Sequence, residues 1–154
     1  MNSDFKDLLQ ALNDADAEYL VVGGYAVIKH TEPRYTKDID VWVNNTKENA
    51  ERLMAALAKY GAPINDLSVE YLTSGDAFFQ IGVEPVRIDI IMNLIGLDFE
   101  TCWKRRLVAQ VDGLPVSFIA IRDLITNKEA SGRPMDLVDV ERLKKRIDIF
   151  GGGD

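Results

Sequence analysis

Asp38 and Asp40 stand two residues apart in KDIDVWV, where they alternate with Ile39, Val41 and Val43. Alternation of this kind predicts a strand over 37–43, and strand side chains alternate faces, so both carboxylates project from one side. Two carboxylates side by side repel, which costs stability unless a cation, a proton or a basic partner neutralises them; a hard divalent ion with oxygen ligands meets that need. Asp89 offers a third carboxylate. In VRIDIIM, Ile88, Ile90 and Met92 take one face and Arg87, Asp89 and Ile91 the other. If that strand lies beside the first, the three acids form a set able to hold one or two Mg²⁺ ions for in-line attack on a nucleotide α-phosphate, with Asp89 also placed as a general base. The ordinary alternative for a bare D-x-D is a solvent-facing strand edge, here paired with Lys37 or Arg34.

The pair does not stand alone. Tyr19–Val22 is a short apolar strand that stops at Gly23-Gly24, and YAVIKH after it can form a helix. Glycine lets a backbone approach a ligand closely, and a helix starting there aims free N–H groups at an anion, so the turn can cradle a triphosphate. Gly-Gly alone is usually just a tight turn, and the G-x-G-x-x-G dinucleotide fingerprint is absent. The informative feature is the order: strand, Gly-Gly, helix, Asp-Ile-Asp, then a third Asp on a later strand.

The elements that must position these residues are legible. Phe5, Leu8, Leu9 and Leu12 recur at helical spacing, with Ser3 and Asp4 available to cap the first turn. Thr46 offers an N-cap for a helix carrying Ala50, Leu53, Met54, Leu57 and Ala58 on one face, closed by Gly61 and Pro63. Residues 78–83 and 86–92 read as strands joined at Glu84-Pro85, and Asp112-Gly113 joins LVAQV to PVSFI as a second hairpin. Asp98 can cap a short helix bearing Phe99 and Trp103. Two helices, 121–131 ended by Gly132 and 134–149 opened by Pro134, complete the chain. Helices alternating with a mixed sheet predict one α/β (α+β) domain over 1–150, with 151–154 a frayed tail.

Composition narrows the function. The 154 residues suit a single domain, and the 47% apolar and 28% charged shares are those of a globular protein. The acidic start MNSDFKDLLQ does not resemble a secretory leader, no apolar run spans a bilayer, and a single cysteine, Cys102, fits a reducing cytoplasm. Cys102 reads as a packing thiol rather than a nucleophile. A net charge of −7 argues against broad nucleic-acid binding, although Lys104-Arg105-Arg106 and Lys144-Lys145-Arg146 are local basic clusters, read as solvated helix faces. His30 reads as a helix-end histidine, and Trp42, on the aspartate face, as a packing residue or the wall of a base pocket.

VVGGYAVIKHTEPRYTKDIDVWV resembles the signature of the nucleotidyltransferase superfamily, a Gly-Gly or Gly-Ser turn followed by D-x-D. Its R-Y-T-K-D-I-D form is similar to the branch containing bacterial abortive-infection and toxin-type nucleotidyltransferases. GVEPVRIDII resembles that branch's third-carboxylate strand, and NKEASGRPMDLVDVERL its C-terminal K…GR-x-K-D-x-x-D motif. The resemblance implies a nucleotidyltransferase-like mixed sheet flanked by helices, with metal and catalytic roles for Asp38, Asp40 and Asp89. It also implies phosphate binding by Gly23 and Gly24, a Lys128 contact to the nucleotide phosphates, and support from Arg133 and Asp136. Met135 departs from it, standing where relatives have a basic residue. The activity implied is Mg²⁺-dependent (two ions, with Mn²⁺ as a substitute) transfer of a nucleoside monophosphate from an NTP to a hydroxyl of RNA such as tRNA, of protein or of a small molecule, in a toxin-like role with an antitoxin-like partner. Two alternatives stand beside it: a catalytically silent nucleotide- or partner-binding module of a two-gene system, and a structural domain whose acidic edge meets a basic protein.

Overall fold

The computed structural model describes residues 1–31, 38–82 and 86–150, the last without its side chain. In chain order the elements are α1 (Ser3–Asp14), β1 (Tyr19–Val22), α2 (Gly23–His30), β2 (Asp38–Val43), α3 (Lys47–Tyr60), α4 (Val69–Leu72), β3 (Phe78–Ile81), β4 (Arg87–Ile91), α5 (Phe99–Lys104), β5 (Leu107–Val111), β6 (Leu114–Phe118), α6 (Ile121–Ser131) and α7 (Pro134–Phe150). The strands form one mixed sheet in the order β3-β4-β2-β1-β6-β5. β2 runs antiparallel to β1 and parallel to β4, which places it inside the sheet and not at an edge. Lys37, the Glu84-Pro85 junction and the 151–154 tail lie outside the described residues.

The period-2 pattern decides what each face does. Ile39, Val41, Val43, Ile88 and Ile90 point into one core with Phe5, Leu8, Leu9, Leu12, Leu53 and Leu57 of α1 and α3. Leu20, Val22 and Trp42 point the other way, into a second core with Val27, Phe99, Leu124, Ile125 and Leu143 from α2, α5, α6 and α7. Asp38, Asp40 and Asp89 share the second face. Each large aliphatic side chain buried in these layers contributes roughly 1.5–3 kcal/mol.

Local chemistry sets the element ends. Thr46 Oγ1 accepts from Asn49 N at 3.2 Å at the start of α3, and Gly61 closes it in the left-handed conformation at φ 94°. Asp98 Oδ2 caps α5 by accepting from Thr101 N at 3.1 Å. Asp112 and Gly113 both have positive φ, the geometry a two-residue hairpin needs. At α1 the cap is Asn2, whose Oδ1 accepts from Asp4 N at 2.8 Å, in place of Ser3 or Asp4. Three adjacent residues can all cap, and Asn2 is the one lying just before the first helical turn. Ser68 caps the additional one-turn helix α4.

Candidate active site

β1 delivers its C-terminal end, and the start of α2, to the sheet edge where β2 and β4 begin. Parallel pairing then sets Asp40 directly opposite Asp89 and Asp38 opposite Arg87. The sequence predicted a shared face; the register that makes Asp40 and Asp89 immediate neighbours is a property of the fold. Asp89 is 8% exposed, and Asp38 and Asp40 are half-buried.

Arg87 lies in this row: its Nη2 is 2.7 Å from Asp38 Oδ2 and donates to Asp89 Oδ2 at 3.4 Å. Lys37 and Arg34, the partners the sequence suggested, lie outside the described residues. Among the described residues, one guanidinium meets three carboxylates, an excess of negative charge. Burial, the Asp89 charge with its hydrogen bond, and the Asp38 charge push the Asp40 carboxyl up to about 7. Asp89 Oδ1 is buried 3.2 Å from Arg87 Nε in a geometry that makes no hydrogen bond. Hard oxygen donors, surplus negative charge and an unsatisfied carboxylate oxygen suit a divalent cation. As they stand, no three acidic, histidine or cysteine side chains among the described residues converge on one ion position. Arg87 bridges Asp38 and Asp89.

Gly23 is fixed by its neighbour. It has φ +64°, and a Cβ there would sit 2.1 Å from Asp40 Oδ2, so a side chain is strained by the backbone conformation and must displace the carboxylate pressed against it. α2 begins at this residue with no side-chain cap, which leaves its first N–H groups without a side-chain acceptor beside the carboxylate row. Gly24 follows in the first turn.

The C-terminal motif forms a separate buried ion cluster where α6 meets α7. Lys128 is nearly buried, with Nζ 3.0 Å from Asp139 Oδ2 and 3.3 Å from Asp136 Oδ1. It is therefore not the solvated helix-end charge. Arg133 differs: its side chain is 78% exposed and its Nε donates to Asp136 Oδ2 at 2.8 Å. Asp136 Oδ2 also accepts from Arg133 N at 3.3 Å, so the aspartate at the third position of α7 reaches back to cap the helix that Pro134 opens. Burial would raise the Asp136 carboxyl, but the Arg133 hydrogen bond and the Lys128 and Arg133 charges outweigh it and hold it low. Arg133 is held charged by Asp136 and also feels Asp40, which brings this joint within electrostatic range of the carboxylate row. Met135 is exposed.

Other singled-out residues are accounted for by packing or ion pairing. His30 Nε2 donates to Ile119 O at 2.8 Å inside the core. Trp42 is buried edge-on against Phe99, ring centroids 4.9 Å apart, and only borders a cavity of about 230 Å³ at the far end of β2 and β4. Cys102 is buried, and burial followed by the Asp123 charge and hydrogen bond pushes its thiol up to about 12. The first basic cluster is not simply solvated: Arg105 binds Asp123 through two bonds of 2.5 and 3.1 Å, and Arg106 lies 3.7 Å over the Trp103 ring. In the second, Lys144 pairs with Glu129 at 3.2 Å. Sequence reasoning assigned no role to Arg87 or Asp139. Arg87 had a signal, two residues before Asp89 on one strand face; Asp139 had its place in the D-x-x-D motif.

A mixed sheet with a Gly-Gly helix start beside D-x-D, and a third aspartate on the adjoining parallel strand, is the arrangement of a nucleotidyltransferase. The fold is shared with the antibiotic-resistance factor ANT(2'')-Ia (TM-score 0.61, 15% identity, 97% of this chain and 83% of that one). It is shared also with the lincosamide antibiotic adenylyltransferase LnuA (0.60, 13%, 95% and 98%). An antigenic nucleotidyltransferase-like protein from Paracoccidioides brasiliensis is a third example (0.54, 14%, 95% and 75%). No curated protein matches by sequence. Residues 3–149 match the model of the family described as nucleotidyltransferase of unknown function (DUF6036), and the chain belongs to that family. Among the described residues no helix is long and apolar enough to cross a membrane.

Proposed function

We propose that the chain transfers a nucleoside monophosphate from a nucleoside triphosphate to an acceptor hydroxyl, using Mg²⁺ or Mn²⁺ held by Asp38, Asp40 and Asp89. The observation that carries this is the carboxylate row itself: Asp40 pairs in register with Asp89 on the face where α2 starts at a glycine that cannot be replaced without striking Asp40. The acceptor oxygen bonds to the α-phosphorus, the bond from that phosphorus to the bridging oxygen of the β-phosphate breaks, and pyrophosphate leaves. Asp89 receives the proton of the acceptor hydroxyl. Gly23, Gly24 and the first N–H groups of α2 hold the departing phosphates, and Arg133, positioned by Asp136, adds a cation from the α6–α7 joint. Lys128 supports the same pocket by tying Asp136 and Asp139 together. The bound ions supply the positive charge that offsets the triphosphate and sharpens the attacking oxygen.

Incubation with each of the four triphosphates labelled at the α-phosphate, in a whole-cell extract with Mg²⁺, tests this. The expected outcome is label on an acceptor, lowered at least about 100-fold by Asp40→Asn or Asp89→Asn. Label that persists in both variants contradicts it. The toxin-like role suggested by the sequence resemblance expects growth arrest on expression, relieved by Asp40→Asn and by a cognate antitoxin-like protein. Arg87 supports a second reading, because a guanidinium already seated between Asp38 and Asp89 suits a binding module without turnover. Mg²⁺-dependent triphosphate binding with no product from any extract would decide for that module.

A further inference from the structure

We propose that the acceptor is a small neutral or cationic molecule, bearing its hydroxyl beside a flat or apolar ring face, and that it docks on a shelf formed by Gln80, Phe78 and Ile91. This rests on the transferase reading above and deepens it. In-line displacement puts the incoming oxygen and the leaving pyrophosphate on opposite sides of the phosphorus. The phosphate cradle lies at Gly23, at the end of β1, on one side of β2; the opposite side is β4 and then β3. The acceptor therefore lies over β4 and β3.

What stands there is definite. Antiparallel pairing sets Gln80 beside Asp89 and Phe78 beside Ile91, and paired residues share a face, so the row Asp40, Asp89, Gln80 runs next to the row Trp42, Ile91, Phe78. Gln80 is about two strand spacings, ~10 Å, from Asp40. Phe78 and Gln80 are exposed, Phe78 at 48%. Its backbone is pinned: Tyr71 Oη donates to Phe78 O at 3.1 Å and accepts from Phe78 N at 3.3 Å, which holds the ring on the shelf and occupies the strand edge. A ring to stack on and an amide able to donate and accept suit a sugar-like or fused-ring hydroxyl compound. β3 reads Phe-Phe-Gln-Ile with no cation, and Arg87 is committed to Asp38 and Asp89. Among the described residues, Gln80, Phe78 and Ile91 offer no cation to the phosphates of a nucleic acid, while the row beside them attracts positive charge.

The test separates cell extract into fractions below and above about 1 kDa and supplies each with α-labelled triphosphates, wild-type protein, Phe78→Ala, Phe78→Tyr and Gln80→Ala. Binding of a non-hydrolysable ATP analogue with Mg²⁺ serves as the control for folding and for the phosphate side. The expected result is label in the small-molecule fraction. Phe78→Ala and Gln80→Ala should raise the acceptor KM about tenfold or more with analogue binding within twofold of wild type, and Phe78→Tyr should restore it. Label confined to RNA or protein overturns the proposal while leaving the transferase reading intact. So does small-molecule labelling indifferent to Phe78, or a Phe78→Ala effect on self-association without one on KM. No label from any triphosphate in either fraction removes the transferase reading and the shelf with it.

Discussion

At the scale of single residues, Asp40 carries the sharpest consequence. Its carboxyl is raised from 3.8 to about 7, so the folded protein keeps a proton that the unfolded chain releases. Stability linked to this proton is fully present below the unfolded value and is lost as pH rises toward 7. The melting temperature of metal-free protein should therefore fall between about pH 4 and pH 7, with a flatter slope in Asp40→Asn, and added Mg²⁺ should raise it more at the upper pH. An unchanged slope in the variant would detach the acid cluster from this behaviour. Gly23→Ala meets both a left-handed backbone and Asp40 Oδ2, so it should cost about 1–3 kcal/mol and displace the carboxylate, lowering transfer at least tenfold. Denaturant titration and the labelling assay check the two parts. The buried Cys102 thiol should resist disulfide reagents in the native state and react only on unfolding.

Elements decide which charges act and which brace. Removing Lys128 leaves Asp136 and Asp139 buried without their ammonium, so Lys128→Ala should destabilise the fold by about 3–5 kcal/mol. Arg133→Ala, by contrast, removes an exposed side chain; it should change stability by under about 1 kcal/mol and weaken triphosphate binding. Equal effects of the two variants on stability would deny that division of labour. The same scale shows where the sequence was readable and where it was not. Helix α3 followed from Thr46, its apolar stripe and Gly61, and the second hairpin from Asp112-Gly113, because caps and turns are local chemistry. The common face of Asp38 and Asp40 followed from a period of two. The Lys128 clamp did not follow, because its partners lie across a helix joint and nothing in local spacing separates a buried lysine from a solvated one. Lys104-Arg105-Arg106 is the same lesson: Arg105 is recruited by Asp123 from α6.

At the scale of the molecule, two cores share one sheet. α1, α3 and α4 bury the face carrying Ile39, Val41 and Val43, which makes that layer structural and frees the opposite face for chemistry at its β1, β2 and β4 end. A hollow of about 440 Å³ between α1 and α3 lies on the structural side and is lined by none of the site acids. Strand order was the part no residue pattern announced; it makes β2 internal, brings Asp40 against Asp89 and admits Arg87 between Asp38 and Asp89. Arg87 sits between Asp38 and Asp89, so Arg87→Gln should lower metal-free stability by about 1–3 kcal/mol and, if those carboxylates hold the ion as proposed, tighten its binding. The most direct test of the central claim needs no acceptor: Mn²⁺ binding followed by electron paramagnetic resonance in the presence of a non-hydrolysable ATP analogue. The account predicts that wild-type protein removes the free-ion signal in proportion to its concentration and that Asp38→Asn, Asp40→Asn and Asp89→Asn each abolish this. Equal Mn²⁺ binding by all three variants, or none by the wild type, would contradict it.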